Sequence, residues 1–307
     1  MHFATLSEVQ TNAICNSGCM ADQQDVLLSE WEVHRPAVFG VAYRLLGTVA
    51  DAEDVAQDVW LRASGADLEK IDDLRAWLVT VAARRSYDLL KSARARREEY
   101  VGPWLPEPLL TGPDAAEPVL VDESVSSAML LIMDELKPPE RVAFVLHDVF
   151  GIEFARIAEV LDVTVPGARQ LASRARARVV KAKESTPQAS KADRERVLTT
   201  FRAAYESGDV AGLVALLHPD VVYVTDGGGK VSAVRKPIYG GQRVAEVMVR
   251  VGRQWRPDHI GFIEVGGELA LLFHRQGGVY SVDTLQITDG LIAAYRRVIN
   301  PDKLSRL

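Results

Sequence analysis

The sequence predicts a multidomain chain, with two all-α segments followed by an α+β domain. Three observations carry this. A length of 307 residues exceeds what one hydrophobic core usually serves. Apolar residues recur at helical spacing over residues 25–97 and again over 124–183, on either side of a stretch with five prolines. From residue 193, two helical segments give way to short runs that alternate by twos between glycine-rich turns.

Residues 1–24 are polar and irregular, a predicted disordered leader. Cys15 and Cys19 lie there with no metal-ligand pattern, so a reducing compartment is expected. No basic stretch followed by an apolar run marks a secretion signal, and no run of about 18 uncharged apolar residues marks a membrane span. The expected location is the cytoplasm, with no membrane partner. In "VHRPAVFGVAYRLLG", Val38, Val41, Ala42, Leu45 and Leu46 form a helical stripe that Gly47 ends. "DAEDVAQDVWLRAS" opens with acids, which suit a helix N-terminus, and carries Val55, Val59 and Trp60 on one face. "DDLRAWLVTVAARRSYDLLKSARARR" reads as one long helix, with Leu74, Trp77, Leu78, Val81, Ala82 and Leu89 inward.

Residues 98–123 read as a stiff, proline-rich acidic linker. It contains "WLPEPL", and a solvated tether has no need of Trp104, Leu105, Leu109 and Leu110. Proline limits the entropy lost on docking and tryptophan is a rigid anchor, so this stretch is expected to plug into a folded surface. Two helices follow, near 125–136 and 139–149. Then "IEFARIAEVL", "DVT" and "VPGARQLASRARARVVKAK" make a helix-turn-helix, with Thr164 as N-cap and Pro166 in the first turn. Residues 184–192 form a second linker. Residues 193–307 are predicted to fold as helices near 193–207 and 210–217, then a curved antiparallel sheet.

The net charge is −6, yet residues 165–183 hold six basic groups and no acidic one. Residues 84–97 hold six basic groups against Asp88. Such concentrated basic helices imply polyanion contact at defined places. On the second helix of the helix-turn-helix, Ala168, Leu171, Ala172, Ala175 and Val179 face inward. Arg169, Gln170, Ser173 and Arg174 face outward, where a major-groove helix meets base edges. Arg176 and Arg178, with Lys181 and Lys183, are placed for phosphates. The plainer alternative is a solvated basic face.

In "DAEDVAQD", Asp54, Gln57 and Asp58 share a helix face. It is either a solvated acidic face or a dock for a basic partner helix; a metal clamp is disfavoured without histidine. "DGGGK" at 226–230 is a poor phosphate loop, because no helix pattern follows the lysine, and suits a tight turn instead. Asp226, His274, Tyr223 and Tyr280 are candidates for the concave side of the sheet, where an Asp or His can act as a base. No metal, cofactor or catalytic residue is expected.

Residues 35–97 resemble region 2 of the extracytoplasmic-function sigma factors, and residues 125–183 resemble their region 4. The resemblance implies that the chain binds the RNA polymerase core and promoter DNA and is not an enzyme. Region 2 of that family melts and reads the minus-ten element, and region 4 reads the minus-thirty-five element. It implies a clamp-helix contact for Asp54, Gln57 and Asp58. Promoter melting and reading falls to Arg75, Arg84, Arg85, Asp88 and Lys91, and groove reading to Arg169, Gln170, Ser173 and Arg174. Arg84 stands where the family has Asn.

Residues 190–307 resemble the cone-shaped SnoaL-like domain of the nuclear-transport-factor-two superfamily, which one sigma subgroup carries at its C-terminus. That subgroup shares "WLPEP", "DGGGK" and "NPDKL", which stand here at 104–108, 226–230 and 300–304. The implied regulation is in cis, without a separate anti-sigma protein. Trp104, Leu105, Pro106, Glu107 and Pro108 would dock near Asp226, Gly227, Gly228, Gly229 and Lys230. Asn300, Pro301, Asp302, Lys303 and Leu304 would lie close by. The cone could also hold an unknown small ligand. The rival reading is an isomerase-like, cyclase-like or ligand-sensing domain fused to a DNA-binding regulator, with Asp226 or His274 moving a proton.

Overall fold

The computed structural model describes residues 27–98, 100–112, 122–184 and 189–307. The expected leader, residues 1–24, lies outside them, as do residues 113–121 of the first linker and 185–188 of the second.

The first segment is α1 (residues 27–46), α2 (Val49–Ala63) and α3 (Leu74–Glu98). Gly47 ends α1 at φ 75°, which glycine adopts without a Cβ clash, and its N–H reaches Tyr43 O at 2.7 Å. The second segment is α4 (Ser127–Asp134), α5 (Pro138–Phe144) with a π-helical extension over Val145–Val149, α6 (Phe154–Leu161) and α7 (Val165–Glu184). Asp162 turns the chain at φ 55° after α6, and Thr164 Oγ1 accepts from Gly167 N at 3.2 Å to start α7.

The two helical segments share one contiguous core. Val38, Leu45 and Leu78 of the first pack in the same cluster as Met133, Val142, Leu146, Ile157 and Ala172 of the second. The helix α6 packs on both α3 and α7. Buried arginines tie the segments further. Arg141 Nη1 donates to Leu45 O at 2.8 Å, and Arg44 pairs at 3.1 Å with Asp122 of the linker, just ahead of the second segment.

The C-terminal domain comprises α8 (Lys191–Ser207), α9 (Val210–Leu216), β1 (Leu217–Asp226), β2 (Ile238–Tyr239) and α10 (Gly241–Trp255). It continues through β3 (His259–Val265), β4 (Glu268–Arg275), β5 (Gly278–Thr288), β6 (Leu291–Val298) and α11 (Pro301–Leu304). The strand order is β2-β1-β6-β5-β4-β3. Two expectations are corrected. The sheet is mixed, because β1 runs parallel to β6. A third helix, α10, occupies a segment without a predicted helix. Its Val244, Val247, Val249 and Val251 favour strand locally, but burying Val244, Ala245 and Met248 at helical spacing outweighs that preference.

Alternation along β5 and β6 divides the sheet into two faces. Leu285, Ile287 and Tyr295 face the α8–α10 side, with Phe201, Tyr205 and Met248. Val282, Val298 and Ala270 face the other side, and meet Leu105 from the linker and Leu304 from α11.

Candidate interdomain clasp and nucleic-acid interface

The linker is gripped from both sides. Leu105 is 4 % exposed and fills a niche formed by Val265, Ala270, Val282, Val298 and Leu304. Four residues on, Leu109 belongs to the helical core. Between them, Glu107 is held by the first segment. Its N–H donates to Gly47 O at 2.9 Å, its carbonyl accepts from Tyr43 Oη at 2.7 Å, and Oε2 accepts from Val49 N at 2.9 Å. The carboxylate thus satisfies a first-turn N–H of α2 that has no partner within the helix. Leu110 then bridges antiparallel to Val265, with Gly266 N donating to Leu109 O at 2.9 Å and Thr111 N to Glu264 O at 3.2 Å.

The sheet side is organised by Asp226, which is fully buried at the end of β1. Its Oδ2 accepts from Leu105 N at 2.9 Å and Lys303 Nζ at 2.8 Å. Its Oδ1 accepts from Tyr100 Oη at 2.6 Å and Gly228 N at 3.0 Å. Lys303 also donates to Leu105 O, and its ammonium sits 4.5 Å from the Trp104 ring centre. Asn300 donates to Tyr100 Oη at 2.9 Å and caps α11 through Asp302 N at 3.1 Å. Gly228 lies at φ 61°, where a Cβ would collide with the Asn300 amide. Lys230 pairs with Asp302 across the same turn. Residues 104–108, 226–230 and 300–304 therefore meet at one place.

Burial lifts the Glu107 carboxyl above the usual range, and the Val49 N–H bond with Arg306 and Lys303 offsets only part of this. Burial and the Asp226 carboxylate also raise the Tyr100 phenol, so it remains a donor. Asp226 has four donors and a linker over it, which removes it as a free base. His274 pairs with His259 across β4 and β3, ring centres 6.1 Å apart. Tyr223 is buried against Tyr295, and Tyr280 stacks on Trp255.

The other sites assigned from the sequence are more scattered. Asp54 and Gln57 are exposed on α2. Asp58 accepts from Arg85 Nε at 2.7 Å, so residues assigned to different surfaces are bonded to each other. Arg306 of the tail pairs with Glu53, beside Asp54. Arg75 turns toward Phe150 O, at 3.5 Å, in the second segment. Arg84 and Asp88 are exposed on α3, and Lys91 lies over the Tyr87 ring at 4.1 Å. Arg169, Gln170, Ser173 and Arg174 are exposed together on α7. Arg176 and Arg178 already hold carboxylates, Asp148 at 2.7 Å and Glu140 at 2.8 Å.

Among the described residues no group of His, Cys, Asp and Glu is placed to hold a metal, and no helix is long and apolar enough to cross a membrane.

Residues 31–96 match the family model for Sigma-70 region 2, and residues 126–179 that for Sigma-70, region 4. Over 295 residues the chain is 39% identical to the ECF RNA polymerase sigma factor SigJ of Mycobacterium tuberculosis, covering 91% of this chain and 93% of that protein. The chain belongs to the extracytoplasmic-function sigma factors. A second similar protein is the probable sigma factor SigI of the same organism, 32% identical over 292 residues that span 93% of this chain and 97% of SigI. The crystal structure of SigJ superposes with a TM-score of 0.74 at 36% identity, covering 91% of this chain and 98% of that one. As a sigma factor, this protein serves promoter recognition and transcription initiation through regions 2 and 4. Sigma factors bind the polymerase core and promoter DNA.

Sequence reasoning missed one polar cluster of this sigma factor. On the α8–α10 side of the sheet, Asp283 and Arg297 are buried and joined by a 2.7 Å bond, with Tyr295 donating to the same carboxylate. The signal was present: "YSVDT" and "AYRRV" each place charged residues inside an otherwise apolar alternation.

Proposed function

We infer that this sigma factor is restrained by its own C-terminal domain through the linker clasp. The observation that carries the reading is the position of α6 against both α3 and α7. The two promoter elements lie about 25 base pairs apart, which is roughly 85 Å along the duplex. A helix is about 10 Å wide, so α3 and α7 must part before both elements are read. Leu109 anchors the linker in the helical core and Leu105 anchors it in the sheet, so parting the regions strains the clasp.

In this reading the polymerase core docks on Asp54, Gln57 and Asp58 and displaces Arg306 from Glu53. Arg75, freed from Phe150 O, joins Arg84, Arg85, Asp88 and Lys91 at the melted strand. Arg169, Gln170, Ser173 and Arg174 read the upstream groove. Arg176 and Arg178 exchange the carboxylates of Asp148 and Glu140 for phosphates, which favours capture without leaving the cations bare. The protein acts by binding in the cytoplasm, and the restraint needs no separate anti-sigma protein. The mechanism asks for no metal, cofactor or catalytic group.

The test is transcription with core polymerase, comparing the full chain, a Trp104→Ala/Leu105→Ala variant and a chain ended after residue 190. The clasp variants should bind core about tenfold more tightly and show a larger distance between probes on α3 and α7. Unchanged affinity with an unchanged probe distance refutes the restraint. Failure of every form to direct initiation refutes the assignment of roles.

A further inference from the structure

We propose that the outward face of α10 grips the phosphate backbone of promoter DNA beside the upstream element. The proposal rests on the reading of region 4 given above and adds a second DNA contact to it.

Residues 231–257 hold six basic groups and one acidic one. The C-terminal domain, residues 191–307, has sixteen basic and thirteen acidic groups in a chain whose net charge is −6. The six cations are all exposed. Arg235 and Lys236 precede β2, Arg243, Arg250 and Arg253 stand on α10, and Arg256 follows its end. Among the described residues none of the six side chains has an ion-pair partner. A helix face that only needs solvation interleaves both signs at three- and four-residue spacing. Here the one acid, Glu246, accepts from Gln242 at 2.7 Å instead of from an arginine. Arg253 and Arg256 have a second account, since they complement the negative end of α10 and share a cleft with Glu206 and Asp258. Arg243 and Arg250 have none. Arg243 even sits in the first turn, where the helix disfavours a cation and where no acid stands.

The fold keeps this face open and near the duplex. The helix α10 packs on the sheet face opposite the one that meets the linker, so the clasp does not cover its outward row. Six residues, 185–190, join α7 to α8, a reach of about 20 Å at most. The domain therefore stays beside DNA held by α7 whether the clasp is shut or open. Arg243 and Arg250 lie about 10 Å apart along the helix. A duplex carries one backbone charge per about 1.7 Å of its axis, so both arginines can meet phosphates at once. Five of the six cations are arginines, whose planar fork matches phosphate oxygens. An acidic protein would meet the same charge, but DNA is the polyanion that α7 already delivers to this place. The contact carries no sequence information and adds salt-dependent affinity.

The experiment measures binding of holoenzyme, full chain with core polymerase, to two promoter duplexes. One ends about 2 base pairs upstream of the minus-thirty-five element and the other about 20. Arg243→Gln/Arg250→Gln should weaken the long duplex at least fivefold at low salt. It should also lower the slope of log affinity against log salt by about two. The short duplex should bind both proteins alike. Arg243→Lys/Arg250→Lys should keep most of the long-duplex affinity, and scrambling the flanking sequence should change nothing. Both positions are exposed, so the variants should fold, which circular dichroism checks. Equal binding of wild type and the Gln variant on the long duplex overturns the proposal, as does an equal loss on both duplexes. Arg169→Ala without effect on either duplex refutes the role of region 4 and leaves the α10 contact to be judged by the length dependence alone.

Discussion

Replacing Lys303 by Met tests the centre of the clasp. The lysine side chain is 7% exposed and its partner Asp226 is 0% exposed. Met keeps much of the apolar stem but removes the ammonium. Asp226 would keep the donors from Leu105, Tyr100 and Gly228 and lose its cation. Breaking a buried pair from one side costs about 3–5 kcal/mol. The three surviving donors place the cost at the low end, about 3 kcal/mol, which is roughly a hundredfold in the docking equilibrium. The reporter is the Leu105 amide, which donates directly to Asp226. Its native-state hydrogen exchange should quicken about a hundredfold in Lys303→Met, while amides of α5 keep their protection. Asp226→Asn should give a similar loss, and the double variant should cost little more than either single one. A change below fivefold at Leu105, or losses that simply add, would show that the pair does not hold the linker.

Three further outcomes follow from the same geometry. Gly228→Ala should release α11 and the Asn300 cap, whereas Gly277→Ala, also left-handed but with open space around it, should carry the backbone strain alone; exchange at Lys303 separates the two. The Glu107 pKa is raised on folding, so its contribution to docking is full below the ordinary glutamate range and is lost as pH rises through the raised value. The Val49 amide should therefore be better protected at pH 5 than at pH 8, and Glu107→Gln should flatten that difference. Arg169→Ala should cost about 1–3 kcal/mol at one base position of the upstream element, while Arg178→Ala should weaken all sequences alike and lower the salt dependence, both read from binding isotherms.

Local patterns carried much of the fold. The helices α1 and α7 stand out because a regular apolar stripe coincides with a stop signal at Gly47 and a start signal at Thr164. Pairing of β1 with β6 joins residues far apart in sequence, and no local pattern encodes it. The α10 segment was obscured by valines whose preference is decided by burial. At the site, the apolar anchors Trp104 and Leu105 were legible as misfits in an acidic tether. The role of Glu107 was not, because the helix start it caps lies 58 residues upstream. The residues alone offered Asp226 as a turn residue or a base, and the family resemblance placed it near the docked linker; its four donors were not legible because they come from three separate stretches. The ion pairs of Arg176 and Arg178 were equally hidden, because their carboxylates sit on other helices.

The bridge from Leu110 to Val265 falls on β3, the last strand in the sheet order. Once the tether lifts away, that border offers bare amides and carbonyls next to the greasy hollow vacated by Leu105, an invitation to intermolecular strand pairing. Cells would thus be poorly served by a long-lived unlatched form without polymerase at hand, and overproduced clasp variants should self-associate unless core enzyme is supplied in step.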